Sequence, residues 1–305
     1  MQRYIIARIW QSLIALLLLS MLIFLLVRAT GNPALLFMPI DATPEDVERV
    51  ERHLGLDEPV HIQYWHFLSD AVRGNFGQSI LTRRPVMELI GERLPNSVKL
   101  AAAAIGFCVL IAIPLGIAAA VRRGRWMDTV AKLIAVSGQA APPFWLGIVL
   151  IEIFAIRLEI LPVAGMRGFT AYILPAFTMG WFITAGIMRL LRSSMIDVLD
   201  SDFMTMARAK GVSEKRAIFK HALRNSLIPV VSLGGIYFAT LITMAVIVET
   251  VFAWPGLGRL AYEAIRQRDF PVIQGVVLMA AVIVITVNMF IDMLYAFLDP
   301  RIRYR

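Results

Sequence analysis

Apolar residues in this chain gather into long runs, and the length of those runs carries the first inference. They cover about Ile9–Val27, Ser97–Val121, Met127–Ile156, Tyr172–Leu191, Ile228–Phe252 and Ile273–Leu298. At ~1.5 Å of rise per residue, a helix of ~20 apolar residues matches the ~30 Å hydrocarbon core of a bilayer. The pattern therefore predicts an all-α, polytopic integral membrane protein with six transmembrane helices. The first run is too long for a signal-peptide core and no small-residue cleavage site follows it, so it is expected to remain as the first span. The third is longer than one crossing needs. Pro142 and Pro143 lie within it, and a single span kinked or partly unwound there is expected. Two short spans instead would put everything downstream on the opposite side of the membrane.

Between Ala29 and Asn96 the hydropathy falls and three shorter helical patterns take over. Thr43 before Pro44 reads as an N-cap, with Asp46 in the acidic position and Val47, Val50 and Leu54 on one apolar face up to Gly55. A second helix is expected from about Pro59, with Val60, Tyr64, Phe67, Leu68 and Val72 keeping the helical period until Gly74 and Gly77. A third starts near Pro85, turns Val86, Leu89, Ile90 and Leu94 inward, and is expected to stop before Pro95. Together they predict a small helical subdomain outside the membrane.

Charge changes the picture by giving it a direction. The formal net charge is +8, and much of the excess sits at the ends of apolar runs. Arg3 and Arg8, then Arg122, Arg123 and Arg125, then Arg189 and Arg192, and finally Arg301, Arg303 and Arg305 all fall where a positive-inside bias needs them. That placement argues for a membrane protein with both termini in the cytoplasm, and no nucleic-acid partner is expected. At 58% hydrophobic residues the chain is too apolar for an ordinary soluble domain. Its single cysteine, Cys108, lies inside an apolar run, so neither a disulfide framework nor a cysteine-based metal site is predicted.

One polar segment between spans is patterned unlike the rest. Residues 193–229 read SSMIDVLDSDFMTMARAKGVSEKRAIFKHALRNSLIP. Ser201 or Asp202 can cap a short helix over Phe203–Lys210, and Gly211 stands where helices commonly end in a left-handed residue. Ser213 can cap a second helix with Glu214 in its first turn and Arg224 in its last. In α-helical geometry Ile218, Phe219, Ala222 and Leu223 form an apolar stripe, and Arg216, Lys220 and Arg224 a cationic one. Such a hairpin needs its own protein, the lipid surface or a soluble partner to cover its apolar side.

The sequence T-M-A-R-A-K-G at Thr205–Gly211, followed by H-A-L-R-N-S-L-I-P at His221–Pro229, resembles the coupling loop of ATP-binding-cassette (ABC) importer permeases. It is most similar to the branch importing dipeptides, oligopeptides, glutathione or nickel, B-type subunit. Against the general form E-A-A-x-x-x-G, Thr205 replaces the Glu and Met206 the first Ala, while Ala207 and Gly211 match; the proline comes late, at Pro229. R-G-N-F-G-Q-S at Arg73–Ser79, R-L-P-N-S at Arg93–Ser97, A-P-P-F-W-L-G at Ala141–Gly147 and E-T-V-F-A-W-P-G-L-G-R-L at Glu249–Leu260 extend the resemblance over nearly the whole chain.

The resemblance implies a type I ABC importer permease fold. Residues 1–28 would form the N-terminal transmembrane helix and 29–96 an external helical subdomain. Residues 97–298 would form the permease domain, with a cytoplasmic coupling loop at 193–227, and 299–305 a cytoplasmic tail. It implies a homologous second permease as heterodimer partner, two ATPase subunits at the cytoplasmic face, an external solute-binding protein and a bacterial inner-membrane location. Thr205, Ala207, Ala209, Gly211, Arg216, Lys220 and His221 are then the residues expected to meet the ATPase. The solute implied is a peptide (dipeptide, oligopeptide or glutathione), with nickel or another small solute as the alternative.

Polar groups inside the runs are the remaining candidates. Asn288, Asp292, Tyr295 and Asp299 share one helical face of the sixth span, where they could line a pathway or hydrogen-bond between spans. Glu152 in the third span could meet a cationic solute group or pair with Arg157. His61 and His66 do not share a helical face and no carboxylate completes a ligand set, so no metal and no other cofactor is expected. The chain has no G-x-x-x-x-G-K-[ST] loop, no H-E-x-x-H helix and no nucleophile–base–acid set, which predicts a non-catalytic subunit. An autonomous ion-coupled carrier, the other class considered, would be expected to show inverted repeats and mid-membrane acids.

Overall fold

The computed structural model describes residues 2–29, 43–53 and 55–298. They are helical apart from turns, loops and an isolated antiparallel bridge between Gln78 and Pro85. In chain order the helices are α1 (Gln2–Ala29), α2 (Pro44–His53), α3 (Val60–Val72), α4 (Val86–Val121), α5 (Trp126–Ala140), α6 (Pro143–Leu150), α7 (Ile173–Leu199), α8 (Asp202–Ala209), α9 (Glu214–Arg216), α10 (Leu223–Val251), α11 (Leu257–Gln267) and α12 (Phe270–Leu298). A π-helical segment, Ile151–Arg157, continues α6, and another, Ala217–Ala222, joins α9 to α10. Five helical stretches are long and apolar enough to cross a membrane, and the count reaches six when α5 and α6 with its π extension are taken as one broken span.

The break between α5 and α6 is the expected one, but sharper than a kink. The two pieces diverge by 107°. Pro142 and Pro143 have no N–H to give the preceding turn, and the residue before a proline is driven out of the α region. Ala141 accordingly sits at ψ 121° and Pro142 at ψ 136°.

The expectation that a helix stops before Pro95 is wrong. Helix α4 runs unbroken for 36 residues straight through Pro95. A proline crowds the carbonyl four residues earlier, and here that residue is Gly91, with open space where a side chain would project. Membrane-spanning helices tolerate a proline more readily than soluble ones, because local adjustment and neighbouring groups satisfy the freed carbonyl. Helix α7 likewise extends to Leu199, two turns past the predicted end of the fourth span.

The chain divides into two compact units, 1–95 with 256–286, and 96–255 with 287–305. In the first, α3 leans on α1 through aromatic contacts: Phe24 meets Tyr64 edge-on at 5.4 Å and stacks on Phe67 at 5.6 Å. Val60 and Val72, expected on that same face, are exposed. Thr43 caps α2 as predicted, its hydroxyl 2.7 Å from Asp46 Oδ2, and this bond holds the Asp46 carboxyl below the usual carboxylate range. Of the expected inward positions, the side chains of Val47 and Val50, and all of Leu54, lie outside the described residues. Val86, Leu89 and Ile90 turn inward as predicted and pack with Leu257, Leu260, Ala264, Val272 and Val276.

That core contains α11, a helix the run-length reading passed over. Its signal was present, since Leu257, Leu260 and Ala264 recur at helical spacing, but the segment is too short and too polar to register as a span. Ser79 donates to Asp269 Oδ2 at 2.5 Å and the Ile80 N–H to Oδ1 at 3.2 Å, pinning the loop before α4 to the turn between α11 and α12.

The second unit is built around α7, whose inner face is small and apolar. Gly180 lets the Ala104 carbonyl of α4 approach so closely that a Cβ would lie 2.7 Å from it. Gly186 does the same for the Tyr237 hydroxyl of α10, which would be 1.9 Å away. Small residues at helix crossings are how membrane helices gain dispersion contacts where burial from water gives no drive.

Candidate functional site

The hairpin after α7 begins where the sequence places it. Helix α8 starts at Asp202 with Ser201 at the N-cap position in extended conformation. The Ser201 hydroxyl does not cap forward; it donates back to the Val198 carbonyl at 2.6 Å. The exit from α8 is a Schellman turn. The Val212 N–H reaches the Ala207 carbonyl at 3.2 Å, the Gly211 N–H reaches Arg208 at 2.9 Å, and Gly211 stands at φ +81°. Arg208 then bridges the turn on its exposed side, with Nε 2.8 Å from Glu214 Oε1.

The second half of the hairpin differs from expectation. It is not a separate short helix: α9, the π segment and α10 form one continuous helical path into the fifth span, past Pro229. The π segment resets which residues face inward. Ala217 and Ala222, five apart, are both fully buried, and Ser226 and Val230 continue the same face. An i→i+5 turn brings residues five apart into register, whereas α geometry would align those four apart. Phe219, predicted on the buried stripe, is thereby turned outward and is 59% exposed.

The outer surface of the hairpin is consequently both apolar and cationic. Phe203 and Met206 on α8 are 51% and 60% exposed and stand with Phe219 as large uncovered side chains. Arg216, Lys220 and Arg224 are exposed. His221 is half-buried and meets the Phe203 ring edge-on at 5.9 Å. Of the other candidates, Thr205 and Ala209 are exposed and Ala207 is partly covered. Beneath them Met204 is fully buried among Leu191, Met195, Ala217 and Ala222. A rigid knob that hides one face in its own protein and leaves aromatic, thioether and cationic groups on the other is chemically suited to a protein socket.

Above the hairpin lies an ion pair that run-length reasoning missed. Asp128, near the start of α5, accepts two bonds from Arg192 of α7, 2.5 Å from Nε and 3.0 Å from Nη2. Lys132 Nζ is 3.1 Å from Oδ2 and the Gly124 N–H donates to the same oxygen at 3.0 Å. The Asp128 side chain is 2% exposed. Its partner stands 64 residues later, so no local pattern reveals the pair.

Two quoted motifs meet at another polar cluster. Glu249, fully buried, accepts from the Ser97 hydroxyl at 2.5 Å. Trp254 Nε1 donates to the Asn96 carbonyl at 3.1 Å, and Asn96 Nδ2 to the Pro255 carbonyl at 2.9 Å. Glu152 pairs with Arg157 at 3.0 Å, brought into reach by the π turn that separates them by five residues. Asn288 is exposed on α12. The side chains of Asp292 and Tyr295, and all of Asp299, lie outside the described residues.

Comparison with known proteins matches residues 112–304 to the family described as binding-protein-dependent transport system inner membrane component. Residues 1–101 match its N-terminal membrane-component family. Over 306 residues, covering all of both chains, the sequence is 42% identical to the glutathione transport system permease protein GsiC of Escherichia coli K12, and equally so to GsiC of Salmonella typhi. Among solved structures, it matches the inward-facing MetNI methionine ABC transporter with TM-score 0.59 at 17% identity, over 70% of this chain and 97% of that one. A crystal structure of an amino acid ABC transporter matches with TM-score 0.51, over 70% and 94%. At that identity the structural likeness speaks for the fold.

Proposed function

The chain belongs to the binding-protein-dependent transport family, as the membrane-embedded permease subunit of an ATP-driven ABC importer, and from that premise we propose that it forms half of a translocation pathway for peptides of dipeptide, oligopeptide or glutathione kind. Full-length identity to a glutathione permease supports the solute class. The observation that carries the mechanism is the hairpin of α8 and α9, a rigid turn at Gly211 presenting Phe203, Met206 and Phe219 outward at the end of two long span helices. Seated in a socket on an ATPase subunit, such a knob would convert the partner's closure into movement of α7 and α10, because both leave the hairpin without a flexible linker. Two ATPases beneath, a homologous permease beside it and a solute-binding protein outside complete the assembly. Both termini and the hairpin face the cytoplasm in this reading.

Purification with the partner subunits, reconstitution in vesicles and measurement of uptake test the proposal. ATP- and binding-protein-dependent accumulation of radiolabelled glutathione or dipeptide is expected. Nickel accumulation without peptide uptake would overturn the solute assignment, and accumulation by this chain without ATPases would overturn the permease reading.

Topology has its own test, in which the bent α5–α6 pair must count as one crossing. In a Cys108→Ala background, Arg52→Cys and Arg167→Cys are expected to react with an impermeant maleimide added outside sealed cells, and Lys215→Cys is not. Outside labelling at Lys215 would show that the bent pair re-enters and leaves on the same side.

A further inference from the structure

A cleft of about 280 Å³ lies between α5 and α7, and its walls carry more positive charge than the protein neutralises. Its two ends are closed by different means. At one, Gly138 and Ala185 bring the helices so close that a Cβ on Gly138 would lie 2.5 Å from that of Ala185. At the other, the Asp128–Arg192 pair ties them together. Between these struts the buried Ala131, Ala135 and Met188 leave the volume unfilled, and Lys132, Gln139 and Arg189 rim it.

The charges do not balance. Among the described residues that line the cleft or close its ends, Asp128 is the one carboxylate, and it is engaged by both Arg192 and Lys132. Arg189 holds five N–H donors in a planar fork; the hydrogen bond it makes is to the neutral Gln139 amide, with Nη1 3.1 Å from Oε1, and the Tyr237 hydroxyl lies within its electrostatic reach. Arg189 stands within a candidate span, ten residues, or roughly 15 Å, before the end of α7. Near the end of the predicted fourth span, its exposed guanidinium faces the cleft with donors left over for an anion. Planar, two-oxygen anions are what a guanidinium fork recognises.

We propose that the α5–α7 cleft is a binding site for a carboxylate, with Arg189 as its fork, Gln139 as the group that orients that fork, and the backbone-close struts fixing its width. The inference rests on the peptide-permease reading and names the part of the solute recognised. The part of the peptide it takes is the C-terminal carboxylate, the glycine carboxylate in glutathione. An anionic lipid headgroup offers the same anion chemistry from the other direction, and the experiment separates the two.

The importer is reconstituted complete, with its binding protein saturating so that capture does not limit the rate. Uptake of glutathione is compared with uptake of its glycine-amide form in vesicles of phosphatidylcholine, with and without phosphatidylglycerol. The intact complex is expected to favour the free acid by about tenfold, the worth of one charge-assisted bond. Arg189→Gln should collapse that ratio towards one, Arg189→Lys should keep part of it, and Gln139→Leu should lower it with Arg189 still present. Should Arg189→Gln fail to assemble, Gln139→Leu carries the test. A ratio that survives both substitutions would overturn the cleft assignment alone. A defect equal for both substrates and present only with phosphatidylglycerol would overturn it in favour of lipid. Import of neither form by the unmodified complex would remove the peptide reading and this site with it.

Discussion

Gly211→Val is expected to abolish ATP-driven uptake while the spans still insert. Gly211 stands at φ +81°, and nothing lies within 4 Å of where its Cβ would project. The conflict is therefore with its own backbone. A side chain in the left-handed region costs roughly 1–2 kcal/mol, and a β-branched one is worse still. The Schellman bonds from Gly211 to Arg208 and from Val212 to Ala207 exist only in that conformation, and so does the approach that puts Arg208 on Glu214. Releasing them misorients α8 against the π segment and scatters the exposed Phe203, Met206 and Phe219. Asparagine tolerates the left-handed region, so Gly211→Asn should retain much of the uptake. The expected defect is transmission, either loss of the ATPases on co-purification or hydrolysis without import. Normal assembly, substrate-stimulated hydrolysis and uptake in Gly211→Val would sink the assignment. Arg216→Glu with Lys220→Glu should be milder, because both side chains are exposed and screened by salt.

Asp128→Ala is expected to be the most destabilising single change in the second unit. It strands the Arg192 guanidinium, 21% exposed, against a wall that offers no other carboxylate among the described cleft residues. Breaking a buried pair by removing one member costs about 3–5 kcal/mol, whereas replacing both members with apolar groups of similar volume is often neutral. Asp128→Ala should therefore lower both the yield and the melting temperature of the detergent-purified complex, and Asp128→Leu combined with Arg192→Met should recover most of the loss. If Asp128→Ala melts with the unmodified protein, the pair does not hold α5 to α7. If the double substitution restores stability but not uptake, the pair has a role in transport beyond holding the helices together.

The reading of Gly211 and the reading of Phe219 show why neighbouring positions were not equally legible. A helix stop needs only the residues beside it: a glycine after an amphipathic turn, followed by a serine. The orientation of Phe219 depends on one extra residue per turn inserted at 217–222, and nothing in A-I-F-K-H-A announces it. The π turn is selected by what it packs, with Ala217 and Ala222 closing over Met204 and Leu191. Pro95 is a related case. Its steric conflict is local, but the packing of Val86, Leu89 and Ile90 that holds the helix before it is not.

By itself the sequence determined what one-dimensional physics controls. The long apolar runs and their order, the break at Pro142–Pro143, the Thr43 cap and the Gly211 turn all follow from run length and backbone sterics. Only the tertiary structure decided which distant groups share a dielectric: Asp128 with Arg192, Ser97 with Glu249, and Asn96 with Trp254. It also decided that Arg189 faces a cleft beside the Gln139 amide. A lone polar residue in an apolar run has the same local signature whether it is neutralised or not, because its partner sits on another helix tens of residues away.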